Sequence, residues 1–445
     1  MPTDVEPAVS EISQRRVLKG GIVVAVGLIA AQLAGFLRQA TLGYLLGTGA
    51  EADAFSAAMA PIDLWWSVLA LAVIFGFAPK LSESGPLGGY SFWDIFRPVS
   101  RLAAGSSVAL LVFANPIVQL FAPGMDAEAA ALSAGLLRVL ALAPVAVGCS
   151  FVYSALLFSR RSFLLPSIHN AVVNVATIAG ALALHRQIGV FGFAAGYVLG
   201  SWLHLGISYV ATKSHLRDHG PTRTGRSRPI DLMTLFSGVG PILGQAFAME
   251  LNTAVSRAYA STFGMGMTAA FDYGFKLFRV PLALLVIPLS QSLLPEISSL
   301  EDSPQRRQKA GRAMQRAAVA TLAASAVMMA AIMLLRDDLV AILFERGEFG
   351  AESTAAVATI LLGYMPVILG RGMVDLLSRT LFSLGEYREP LFAAGVALAL
   401  NAAICALLPS FEPQLIGFGA ILGFTVGGWM IAQYVWRMRR GRQAQ

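Results

Sequence analysis

Charge is scarce in this 445-residue chain: Asp, Glu, Lys and Arg make up 13% of it. A soluble fold carries about a quarter charged residues to cover its surface, so a water-exposed globular protein is excluded. Cysteine is scarcer still. Cys149 and Cys405 both lie in apolar runs, which excludes a disulfide scaffold and a thiolate metal cluster. The five histidines are scattered and never reach metal-ligand spacing. There is no glycine-rich phosphate loop, nucleophile elbow or kinase signature. The reading is therefore of a protein that is not an enzyme and needs no cofactor or metal. What the chain has in abundance is apolar surface, with 56% hydrophobic residues and a mean hydropathy of +0.66.

That surface comes in twelve stretches, each about long enough to cross a hydrocarbon core of roughly 30 Å as a helix. Their uncharged cores run 20–37, 64–79, 102–125, 139–159, 162–184, 187–212, 232–249, 280–295, 317–335, 353–370, 390–411 and 413–436. The fold class expected is an all-α integral membrane protein of about twelve transmembrane helices. The first run is too long for a signal-peptide core, and no cleavage site follows it. Basic residues support the count. With a cytoplasmic N-terminus, 23 Lys and Arg fall in inside segments and three, Arg186, Arg336 and Arg346, fall outside, the bias of the positive-inside rule. Both termini are then cytoplasmic. The formal charge of +7 reflects this topology, with anionic membrane lipids as its partner and no nucleic acid.

Gly192, Gly196, Gly200 and Trp202 recur with identical spacing as Gly419, Gly423, Gly427 and Trp429, and Leu157-Phe158-Ser159 recurs as Leu381-Phe382-Ser383. The chain reads as two homologous six-helix lobes around a central cavity. The expected boundaries are a cytoplasmic N-terminal segment 1–19, an N-lobe 20–214, a cytoplasmic linker 215–229, a C-lobe 230–438 and a basic tail 439–445. An even number of helices gives both lobes one orientation. The spaced glycines are read as close helix packing. Parallel lobes with charges in their walls suggest alternating access, and no filter-like re-entrant motif suggests a channel.

Residues 35–55 (GFLRQATLGYLLGTGAEADAF), 271–298 (FDYGFKLFRVPLALLVIPLSQSLLPEIS), 343–354 (LFERGEFGAEST) and 379–390 (RTLFSLGEYREP) resemble the MurJ/MviN family of lipid-linked peptidoglycan precursor flippases. That family is part of the multidrug/oligosaccharidyl-lipid/polysaccharide exporter superfamily. The resemblance implies two six-helix bundles forming a V-shaped cavity in the bacterial inner membrane. It also implies transport of an undecaprenyl-diphosphate-linked glycan, lipid II or similar, from inner to outer leaflet, with cell-wall synthases as candidate partners. An exopolysaccharide repeat-unit flippase, a cation-coupled drug antiporter and a non-transporting scaffold for envelope synthesis are the alternatives. Family members commonly have fourteen helices, where this chain reads as twelve. Arg38 and Asp53 match the family pattern; Gln32, Gln39, Trp65, Trp66 and Lys276 stand where it usually has charged residues or a different cation.

A charge inside a membrane costs several kcal/mol unless it meets a partner or water, so the interior charges are the candidate site. A diphosphate needs a permanent cation, and Arg offers it a bidentate fork. Arg38 in the first helix and Lys276 in the eighth are read as lining the substrate path. Asp53, Glu250, Arg257 and Asp272 complete the substrate-binding set. Asp272 and Lys276 stand at i and i+4, so a structural ion pair is the competing reading. Glu250 is either a protonation site or a partner for Arg257. Arg371 and Asp375, also i and i+4, form a gate or a structural pair. Arg138 and Arg379 lie near helix ends and are expected to snorkel.

Overall fold

A computed structural model of the chain describes residues 5–81, 91–218, 239–286, 288–289, 304–408 and 412–439. All regular structure among them is helical. The principal elements are α1 (Val5–Leu46), α2 (Ala50–Leu71), α3 (Phe92–Val112), α4 (Ala114–Phe121), α5 (Ala127–Leu140), α6 (Ala143–Ser159), α7 (His169–Ile188) and α8 (Phe191–Asp218). They continue with α9 (Gly240–Ala260), α10 (Met267–Pro281), α11 (Pro304–Leu334), α12 (Arg336–Phe344), α13 (Ala351–Tyr364), α14 (Val367–Ser383), α15 (Arg388–Leu407) and α16 (Phe418–Arg439). Most of the expected linker, the tail beyond Arg439 and the end of the 280–295 stretch lie outside the described residues.

Eight spans among the described residues are long and apolar enough to cross a membrane, nine if one bent pair counts as a single span. The sequence predicts twelve; the end of the 280–295 stretch lies outside the described residues, and other stretches are less apolar or interrupted. Gln245, Glu250, Asn252 and Arg257 dilute the apolar character of α9. α10 runs for only 15 residues before a π-helical stretch, Leu282–Val286, takes over. The run 353–370, expected as one straight span, is broken. α13 and α14 meet at 58° where Pro366 precedes α14, because proline lacks the N–H and crowds the preceding turn. Arg371 and Asp375 are thereby placed in the first turns of a new helix.

Two compact units can be distinguished. The first comprises Met1–Thr41, Val68–Ala114 and Gly135–Val239; the second comprises Leu42–Ser67, Asn115–Ala134 and Gly240–Gln445. In the first unit, α3 begins with a capping box. Ser91 N–H donates to Asp94 Oδ2 at 2.9 Å and Trp93 N–H to Ser91 Oγ at 3.3 Å, which satisfies two of the orphan donors at a helix start. α6 is buried along nearly its whole length, and α7 and α8 pack backbone against backbone. A side-chain carbon at Gly196 of α8 would lie 2.5 Å from the Ala176 carbonyl oxygen of α7. Ser150 Oγ and His169 Nδ1 lie 2.5 and 2.9 Å from His204 Nδ1, and His204 Nε2 donates to the Leu165 carbonyl oxygen at 3.2 Å. This gives the apolar interior of α6, α7 and α8 one satisfied polar knot.

The second unit repeats the glycine contact. A side-chain carbon at Gly423 of α16 would lie 2.4 Å from the Ala397 carbonyl oxygen of α15. Its aromatic core centres on Tyr273 of α10, whose ring packs edge-on against Phe344 and Phe349 at 5.3 and 5.1 Å. Tyr364 meets Phe271 and Phe278, each at 5.1 Å.

Candidate functional site

Three of the sequence segments singled out above meet inside the second unit. The turn between α1 and α2, the loop between α12 and α13, and the start of α10 interlock through main-chain and hydroxyl hydrogen bonds. Glu348 N–H donates to the Tyr44 carbonyl at 3.0 Å. Tyr273 Oη donates to the Gly47 carbonyl at 3.0 Å, and the Thr48 and Ser353 hydroxyls lie 2.9 Å apart. This knot fixes where α2 and α10 present their charged side chains.

Asp53 completes the knot. α10 starts at Gly266, a residue with φ +90° and no side chain to cap the helix. Asp53, buried on α2, substitutes for that cap from another helix. Its Oδ2 accepts from Gly266 N–H at 2.5 Å and its Oδ1 from Ala269 N–H at 2.7 Å. Both carboxylate oxygens are thus engaged by backbone amides, and the charge faces the positive end of the helix dipole. Replacing Asp53 with alanine removes a cap and leaves buried amides without a partner, a loss of about 1–3 kcal/mol. Thermal melting in detergent should therefore show Asp53→Ala least stable, with Asp53→Asn between it and wild type. Unchanged melting together with lost transport would place Asp53 on the cargo instead.

Arg257 of α9 forms the centre of the charged group. Its Nε donates to Asp272 Oδ1 of α10 at 2.8 Å, and its Nη2 lies 3.8 Å from Asp63 Oδ2 of α2. The guanidinium side chain is 8% exposed, Asp272 is 15% exposed and Asp63 is 48% exposed. A cation at that depth is tolerated because a hydrogen-bonded carboxylate offsets its desolvation. Glu250 adds a third acid within electrostatic reach of both Arg257 and Arg371. Arg371 and Asp375 of α14 pair at 3.3 Å, and the Arg371 guanidinium stands 5.1 Å over the Phe424 ring. Its Nη1 is buried with no hydrogen-bond partner among the described residues. Lys276 is half-buried one turn after Asp272, and Arg38 is half-buried on α1 in the first unit.

The second unit thus brings together Asp63, Arg257 and Asp272, and Glu250 lies within electrostatic reach of both Arg257 and Arg371, which pairs with Asp375. Sequence reasoning named these charges and offered Glu250 as the partner of Arg257; the geometry pairs Arg257 with Asp272. It did not find the amide network beside them. Asn401 Nδ2 of α15 donates to the Asn252 carbonyl and to Ser256 Oγ, both at 3.1 Å. The available signal was asparagine inside otherwise apolar runs, a costly placement unless the amide is hydrogen-bonded. Chemically, the arrangement offers buried cations neutralised by partly exposed acids, a balance suited to an anion.

A family model described as "Lipid II flippase MurJ" matches residues 42–444. The chain is 25% identical over 454 residues to the "Probable lipid II flippase MurJ" of Rhizobium tropici, an alignment covering 95% of this chain and 81% of that protein. To the "Lipid II flippase MurJ" of Burkholderia cenocepacia it is 24% identical over 414 residues, covering 89% and 78%. Among solved structures it is similar in fold to a lipid II flippase MurJ in an inward closed conformation. The TM-score is 0.78 at 17% identity, over 94% of this chain and 90% of that one. An inward-facing multidrug resistance MATE family transporter also shares the fold, with a TM-score of 0.73 at 15% identity over 94% and 99%.

Proposed function

Because the chain belongs to the lipid II flippase MurJ family, we propose that it carries lipid II, an undecaprenyl-diphosphate-linked glycan, from the inner to the outer leaflet by alternating access. The family match over residues 42–444 carries this reading, and the buried ionic group supplies chemistry suited to it. A diphosphate leaving the aqueous interface loses its hydration, and fixed cations in a low-dielectric path compensate. Arg38 and Lys276 are the cations proposed to meet the diphosphate. Arg257, Asp272 and Glu250 shape the field around it, Asp53 holds α10 in place, and Arg371 with Asp375 forms the gate. The proposed arrangement is an N-lobe at 20–214 and a C-lobe at 230–438, with both termini cytoplasmic as the basic residues indicate.

Flipping of lipid II by purified protein in liposomes tests the reading. Arg38→Ala and Lys276→Ala should each abolish transport while leaving membrane insertion intact. Lys276→Arg should retain activity, and Arg38→Lys should fall between wild type and Ala, since it keeps charge but loses the bidentate fork. Wild-type rates in both Ala variants would overturn the assignment. Transport of other polyprenyl-diphosphate sugars but not lipid II would move the cargo to the exopolysaccharide class.

A further inference from the structure

α11, α14 and α16 of the second unit enclose an apolar groove of about 510 Å³ that the transport reading does not use. Val319 and Leu322 of α11, Leu377 of α14 and Trp436 of α16 line it, with Gln315 and Gln433 as its polar members. α11 and α16 are both long and apolar enough to cross a membrane, over Gln308–Leu334 and Pro413–Met438. Gln315 stands near the start of the one span and Trp436 near the end of the other, so the groove has one end at a membrane edge. Indole and amide groups suit that depth, where an apolar body meets polar headgroups.

The rim is basic. Arg312 lies three residues before Gln315 and seven before Val319, on the same face of α11. Arg437 lies four residues after Gln433, on the same face of α16. Both arginines are exposed. An apolar trough that begins beneath two arginines matches a ligand with a hydrocarbon chain and an anionic head, and zwitterionic heads give those arginines no net charge to attract. We infer that this groove holds one anionic phospholipid, an acyl chain lying against Leu322 and Leu377 and the headgroup phosphate beside Arg312 and Arg437. The site is separate from the charged group on α9 and α10, and its failure would leave the flippase reading untouched.

Bilayers carrying phosphatidylglycerol or phosphatidylcholine with brominated acyl chains provide the test, because bromine quenches only nearby tryptophans. The share of fluorescence lost in Trp436→Phe isolates Trp436. Brominated phosphatidylglycerol should quench that share at a several-fold lower mole fraction than brominated phosphatidylcholine. The preference should fall about fivefold for each arginine removed in Arg312→Gln and Arg437→Gln, with flipping of lipid II unchanged. Native mass spectra of wild type and of the double variant, retaining or losing phosphatidylglycerol, give the same answer should Trp436→Phe fold poorly. Equal quenching by the two lipids, or a preference that survives both substitutions, would overturn the inference. So would displacement by equimolar undecaprenyl diphosphate, which would give the groove to the cargo's own tail, or no quenching by either lipid, which would mean that protein fills it.

Discussion

Arg257→Met should be the most damaging single substitution among the charged residues, lowering folded yield and abolishing flipping together. Asp272 is 15% exposed and takes a 2.8 Å hydrogen bond from Arg257 Nε. Without that cation the carboxylate is stranded, and breaking a buried pair by removing one partner costs about 3–5 kcal/mol. Asp63 adds little, since it is half exposed and 3.8 Å away, where solvent screens it. Removing the orphan charges should therefore repair the fold: Arg257→Met/Asp272→Asn should regain most of the melting temperature lost by Arg257→Met alone. Transport in that double variant separates two roles. Restored folding with flipping still absent places Arg257 in the substrate path, and recovery of both makes it a structural pair. Folded yield by size-exclusion chromatography, and flipping in liposomes with matched protein content, are the two measurements. Equal stability of wild type and Arg257→Met would mean the ion pair contributes nothing.

Leucine at Gly196 or Gly423 should collapse folded yield to a similar degree, for a reason that is wholly steric. A side-chain carbon at Gly196 would lie 2.5 Å from the Ala176 carbonyl oxygen and one at Gly423 2.4 Å from the Ala397 carbonyl oxygen. Each obstacle is main chain and cannot rotate away, so α7 and α8, or α15 and α16, must separate along their length. Overpacking costs roughly 1–3 kcal/mol even where side chains can adjust, and helix pairs in lipid depend on close backbone approach because no hydrophobic drive joins them. Gly206→Leu in α8 and Gly395→Leu in α15 are the controls, because nothing lies within 4 Å of a side-chain carbon at either position. Both controls should express and fold as wild type. Loss of transport at normal yield in Gly196→Leu alone would end the equivalence of the two helix pairs and give that glycine a direct role.

Much of this molecule was legible in one dimension. Composition excludes a soluble fold, since charge that sparse cannot cover a water-exposed surface. The glycine spacing of α8 and α16 announced two close-packed helix pairs, because residues four apart share a helix face. The i, i+4 spacing of Arg371 and Asp375 announced their ion pair for the same local reason. Family membership, too, is legible in segments such as 343–354. These properties are local or additive, and a periodic pattern carries them.

Tertiary structure alone decided the rest. Asp53 reaches the start of α10 across 213 residues of sequence, and no spacing rule connects an acid on one helix to the bare N-terminus of another. No spacing rule offered Asp272 to Arg257, whose guanidinium its carboxylate meets, because the short connection through Gly264 and Gly266 brings α9 back beside α10. The run 353–370 reads as one span, and its 58° bend at Pro366 appears only in the fold. The Asn401–Asn252 bond joins residues 149 positions apart. Buried polar groups must find partners wherever the fold places them, and which partner is nearest is a property of helix packing that sequence order does not record.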